Sequence, residues 1–280
     1  MKKYSPLPAA ALAGGVLCFL LRLAQNRTGF EPDTGLPVAG NAFAIALPAA
    51  LAVTAAVILA LAFRLPSEKE DTKLPFTGYF MANGSLLLTL LVSALFLWVL
   101  SGAMEVFSSL GRSSGGSAGI LSSSGIFLFP QLSLLMGLLS IVSAVSLFPL
   151  VTACKRREES VPAGFNGNLL LVPVACLVIR LVLAYREDSV NPALGAYYVE
   201  ILSLTFLILS LYRASSFAFH CGRTRRFAVY TACALTLCIT ALSDCRAVSD
   251  ALFDLGGALL TLSLLLMRLN AAAHPLPTQD

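Results

Sequence analysis

Apolar residues fall along this chain in eight runs, most of them close to twenty residues long, separated by shorter polar stretches. The runs cover residues 7–25, 41–63, 79–102, 128–152, 167–185, 196–213, 227–243 and 251–268. Roughly 20 residues at 1.5 Å each cross the ~30 Å hydrocarbon layer of a bilayer. Backbone N–H and C=O groups in lipid need partners within their own segment, so each run predicts a helix. Stretches such as LLLTLLVSALFLWVL show no period of two, which argues against the strands of a membrane β-barrel. The fold class expected is therefore an all-α integral membrane protein with about eight transmembrane helices.

Lysine and arginine placement orients these helices. One set of loops and helix ends holds Lys2, Lys3, Arg64, Lys69, Lys73, Lys155, Arg156, Arg157, Arg213, Arg223, Arg225, Arg226 and Arg268, and the opposite set only Arg27, Arg112, Arg186 and Arg246. Thirteen against four, alternating from loop to loop, places the first set in the cytoplasm by the positive-inside rule. An odd number of spans would break the alternation. Both termini are thus expected in the cytoplasm, in a plasma membrane of the bacterial type. The start, Met1-Lys2-Lys3 followed by apolar residues, lacks a clear A-x-A cleavage site and reads as an uncleaved first span.

The chain also divides into two similar halves, 1–153 and 154–280, of four spans each. Cys18 and Arg22 in the first span repeat as Cys176 and Arg180 in the fifth. Each pair is followed by a Pro-x-x-Gly turn, Pro37 to Gly40 and Pro192 to Gly195. Leu100-Ser101 near the end of the third span resembles Leu242-Ser243 near the end of the seventh. Halves of four spans point the same way, so the expected arrangement is a parallel 4+4 internal repeat.

Composition agrees with the membrane reading. The chain is 57% hydrophobic and 12% charged, whereas soluble domains carry about 25% charged residues. The net charge of +4 is spread over several short loops, which excludes a nucleic-acid surface. Of seven cysteines only Cys245 falls outside, so no extracytoplasmic disulfide is expected within one chain. No CxxC or Cys/His cluster points to a metal, and no cofactor fingerprint is present.

Charges inside spans are costly, so they mark candidate sites. Arg22 and Arg180 qualify, and depth along the helices pairs Arg180 with Glu200, one turn below Tyr197 and Tyr198. Arg22 has no evident acidic partner. These positions suggest a ligand-binding pocket between the halves, lined by Arg22, Arg180, Glu200, Tyr197 and Asp244 and tuned by Glu105, for a small anionic molecule; the competing reading is that both arginines snorkel to the outer headgroups and brace helix packing. On the seventh span Cys233, Thr236, Thr240 and Asp244 share a face, read as a helix–helix contact. Asp250 and Asp254 read as solvated carboxylates at a helix start, with a diphosphate-binding magnesium site as the competing reading.

Two G-x-S-x-G matches, within residues 111–119, lie in a Ser/Gly-rich loop with no histidine on that side, so no serine hydrolase is expected. The leading functional expectation is a protein that binds or transports a small molecule. The alternatives are a sensor or accessory subunit of a larger membrane complex, and a membrane-embedded enzyme acting on a lipid or isoprenoid; the sequence leans away from an enzyme. Expected partners are membrane lipids, the small-molecule ligand and other membrane subunits.

Overall fold

A computed structural model describes residues 6–31, 38, 40–65, 76–80, 84–113, 130–155, 167–188, 197–245 and 247–273. They form eight long helices and one short one: α1 (Pro6–Thr28), α2 (Ala42–Ala62), the short α3 (Phe76–Tyr79), α4 (Ser85–Ser113), α5 (Pro130–Lys155), α6 (Leu171–Asp188), α7 (Tyr198–Ala218), α8 (Thr224–Ala241) and α9 (Val248–Ala273). No β-strand occurs among the described residues. The Pro-x-x-Gly turns, the Ser/Gly-rich loop beyond Ser113, and Lys2, Lys3, Lys69, Lys73, Arg156, Arg157 and Arg246 lie outside the described residues, wholly or in part.

Seven of the eight long helices are apolar enough to cross a membrane by length and composition. The eighth, α8, has 18 residues and rises about 27 Å. It is rich in Ala, Thr and Cys because protein surrounds it: 13 of its residues are buried. A helix that meets other helices on all sides needs small residues for close approach more than it needs leucines for lipid. The polar face expected on this helix does pack against α1. Thr236 Oγ1 donates to Ala11 O at 3.1 Å, and Gly15 of α1 lies against Ile239.

The helices α4 to α9 form a closed succession in which each packs on the next and α9 returns to α4. On α8 sits α1, with α2 outside it. Burial follows this order: 67% of the most apolar window of α9 is buried, against 11% for α2. The helix neighbours differ between the halves. While α7 lies against α8 in its own half, α2 lies against α1 and, across the halves, α8. The packing of the described helices does not show the expected internal repeat.

Two expected spans, the third and the last, have different boundaries. The third span starts at Ser85 because Tyr79 and Phe80 turn aside into an aromatic cluster with Phe217 and Phe227, ring centroids 5.4–5.7 Å apart. It also runs past residue 102 to Ser113, carrying Ser101, Glu105 and Ser109 along one buried face. The last span extends to Ala273 and takes Arg268 with it. Arg268 is therefore buried in protein. It is 3% exposed, donates from Nε and Nη2 to Thr224 Oγ1 and from Nη1 to Tyr79 O, and ties α3, α8 and α9 together.

The helices α4 and α5 cross closely. A Cβ on Gly102 would come within 2.5 Å of Gly137 O, and one on Gly137 within 2.7 Å of Gly102 O. The two glycines let the backbones touch one turn from Glu105 and Ser140, and so set the spacing of the polar cluster described next.

Candidate functional site

Among the described residues the buried charges Arg22, Glu105, Arg180 and Asp254 gather toward one end of the bundle, beside the turn joining α8 to α9, while Arg268 lies toward the other. Arg22 of α1 is 0% exposed. Its Nε donates to both carboxylate oxygens of Asp244, at 2.7 and 3.0 Å, and its Nη1 to Gln25 Oε1 at 3.0 Å. Asn26, one turn along α1 from Arg22, donates to Asp244 Oδ1 and to Ser243 O. Asp244 sits directly after α8, held by the turn in which its own N–H donates to Ala241 O at 2.8 Å. The partner that sequence alone did not supply for Arg22 is thus 222 residues away. The Tyr198 ring lies 5.3 Å from the Arg22 guanidinium. Tyr197, expected to line the pocket, is buried at the start of α7.

The second arginine also has a different partner from the one expected. Arg180, 7% exposed on α6, donates to Glu105 Oε1 and Oε2 at 2.9 and 3.3 Å and to Ser140 Oγ at 2.7 Å. Glu105 is on α4 and 4% exposed. The Phe253 ring of α9 lies 3.9 Å from the guanidinium. Phe253 is held in turn by Trp98, whose ring stacks on it at 5.3 Å and whose Nε1 donates to its carbonyl. Glu200 lies within electrostatic reach of Arg180, but the hydrogen bonds of Arg180 go to Glu105 and Ser140. Both ion pairs join residues 1–153 to residues 154–280.

A third group completes the cluster. Asp254 on α9 was expected to be solvated; it is 8% exposed. Its hydrogen-bond partner is the Cys245 thiol, Sγ to Oδ2 3.8 Å. Glu200, Asp250 and Asp244 surround it electrostatically, opposed by Arg180. Burial first, and then the carboxylates led by Asp254, push the Cys245 thiol well above its ordinary range. Asp250 accepts from Ala247 N–H at 3.1 Å and so closes the first turn of α9. Among the described residues no three His, Cys, Asp or Glu groups are placed to hold a metal ion.

Glu105, Ser140 and Asp254 had sequence signals of different strength. Ser101, Glu105 and Ser109, spaced by four, continue the third apolar run as one helix face. Ser133 and Ser140 lie seven apart on α5 in the same way. Nothing local distinguishes Asp254 from a surface carboxylate at a helix start.

Comparison with protein-family models, with curated proteins and with solved structures finds no match to this chain. Function must therefore be argued from the cluster itself.

Proposed function

We propose that this protein binds or transports a small molecule between its two halves, at the end of the bundle that carries Arg22 and Arg180, and that the solute is cationic or exchanges protons. The observation that carries the reading is Asp254. It is a buried carboxylate whose hydrogen bond is to a weak thiol donor, with three more carboxylates around it. The two arginines favour this choice over an anionic solute. Each guanidinium is held by a carboxylate through two hydrogen bonds, and an anion would have to displace that carboxylate in an apolar setting. Arg22 and Arg180 then act as braces between the halves. Glu200 and the buried, unpartnered Tyr198 hydroxyl supply polar groups beside them. With the arginine-rich end in the cytoplasm, the site faces the outer leaflet of the plasma membrane.

A thermal-shift series on the purified protein tests this, using inorganic cations, small amines and small anions as probes. Ligand at 100 times its Kd adds about 2.7 kcal/mol to the folded state, an easily read rise in Tm. Stabilisation by a cation or an amine is expected, and Asp254→Asn should remove it while the unliganded protein still unfolds cooperatively. Stabilisation by anions that survives Asp254→Asn would overturn the reading.

One observation favours the accessory-subunit alternative. Of the helices that can span a membrane, α2 is the least buried, and Ala49, Ala52, Ala56 and Ala60 are among its exposed residues. A complex that keeps its composition after extraction with native lipid would support that role.

A further inference from the structure

The two ends of the bundle hold their arginines in opposite ways. At the end just described, both buried guanidinium groups grip carboxylates. At the other end Arg64, Arg213, Arg225 and Arg226 have no ion-pair partner among the described residues. Arg225 has a protein acceptor, donating to Phe63 O at the end of α2 at 2.9 Å. The Nε atoms of Arg213 and of Arg225 are both buried without an acceptor among the described residues. The Arg213 guanidinium lies beside the rings of Tyr212 and Tyr230, at 5.7 and 5.6 Å. A buried cationic N–H without an acceptor is unfavourable, so an acceptor supplied from outside the chain would be bound strongly there.

The surroundings identify that acceptor. Phe206 and Arg213, seven apart, share a face of α7; Arg226 and Tyr230, four apart, share a face of α8. The Tyr230 ring lies 6.3 Å from the Phe206 ring, which sets those two faces against each other. The seam therefore runs from the exposed Arg226 at the helix start, past Arg213 and Tyr230, to Phe206 deeper in the bundle. It is cationic where headgroups lie, aromatic at the interface and apolar below, the profile of a phospholipid. A soluble anion would use only the upper part.

We propose that the seam between α7 and α8 is a binding site for an anionic phospholipid. Its phosphate is held by Arg213 and Arg226, and an acyl chain runs along Tyr230 and Phe206. The site is independent of the small-molecule reading at the opposite end.

Native mass spectrometry of the full chain in detergent tests this by titration with phosphatidylglycerol, with phosphatidylcholine of the same acyl chains, and with sodium phosphate. Phosphatidylglycerol should bind more tightly than phosphatidylcholine, and sodium phosphate should neither bind measurably nor displace it. The double variant Arg213→Gln, Arg226→Gln should weaken phosphatidylglycerol binding by roughly tenfold or more. Arg225→Gln, on the α2 side of α8, should leave it unchanged. If the double variant does not fold, Arg213→Lys carries the test, since it keeps the charge and loses the Nε donor; several-fold weaker binding is expected. Wild-type affinity in either Arg213 variant, equal binding of phosphatidylcholine, or displacement by sodium phosphate would each overturn the proposal.

Discussion

Replacing Arg180 with alanine should remove most of the folded protein. The change leaves Glu105 buried without the guanidinium that holds it, and removes the contacts of that guanidinium with Ser140 and Phe253. Breaking a buried ion pair from one side costs about 3–5 kcal/mol, and whole domains are stable by only about 5–15 kcal/mol. Glu105→Ala should do the same from the other side. The pair Arg180→Met with Glu105→Leu should recover much of the loss, because a buried pair replaced by apolar groups of similar size is often neutral. Yield after extraction, and the fraction surviving heating, read all four chains. Recovery in the double variant separates a charge left alone from packing lost. Folding of Arg180→Ala at wild-type stability would mean that the pair is not what joins α4, α5 and α6 at this level.

The second large effect is expected at the glycine crossing. A leucine at Gly137 would drive its side chain into the carbonyl of Gly102, the Glu105 Cβ and Val106, where backbone rather than a flexible side chain blocks the way. The helices must separate, and Ser140 then leaves the reach of Arg180. Overpacking alone costs about 1–3 kcal/mol, and the lost hydrogen bond to a charged group adds to it. Gly137→Ala should be a graded version of the same defect. By contrast, leucine at Gly84, where an added Cβ meets nothing within 4 Å, should be tolerated. Thermal unfolding in detergent, compared across these three variants, gives the ordering; equal stability of all three would remove the close crossing from the account.

Much of this fold could be read from the chain because lipid imposes a simple rule. A helix facing hydrocarbon must be apolar along about twenty residues, so the runs stand out and their number follows. What the rule hides are charges at the ends of runs. Glu105 and Arg268 read as loop or headgroup residues because hydropathy falls there, yet their helices continue and bury them. The partner of Arg180 was misassigned for a related reason. Depth along neighbouring helices brings Glu200 level with it, but α6 also faces α4 across α5, and only the tertiary arrangement shows that contact. Arg22 and Asp244, 222 residues apart, have no local signal at all. Asp254 is the clearest case: beside Asp250, at the first turns of α9, it looks solvated until the bundle closes over it.

The reading that both ion pairs lie at the end away from the arginine-rich loops depends on α8 crossing the bilayer, and α8 is the one long helix whose composition alone does not establish a span. Impermeant maleimide labelling tests that crossing directly. It uses two chains whose other cysteines are alanine, one keeping the exposed Cys221 before α8 and one carrying Val248→Cys, 51% exposed, after it. In intact cells the cysteine at 248 should react and Cys221 should not, and both should react once the membrane is opened. Reaction of both, or of neither, before the membrane is opened would place the ends of α8 on one side and contradict the eight-span account.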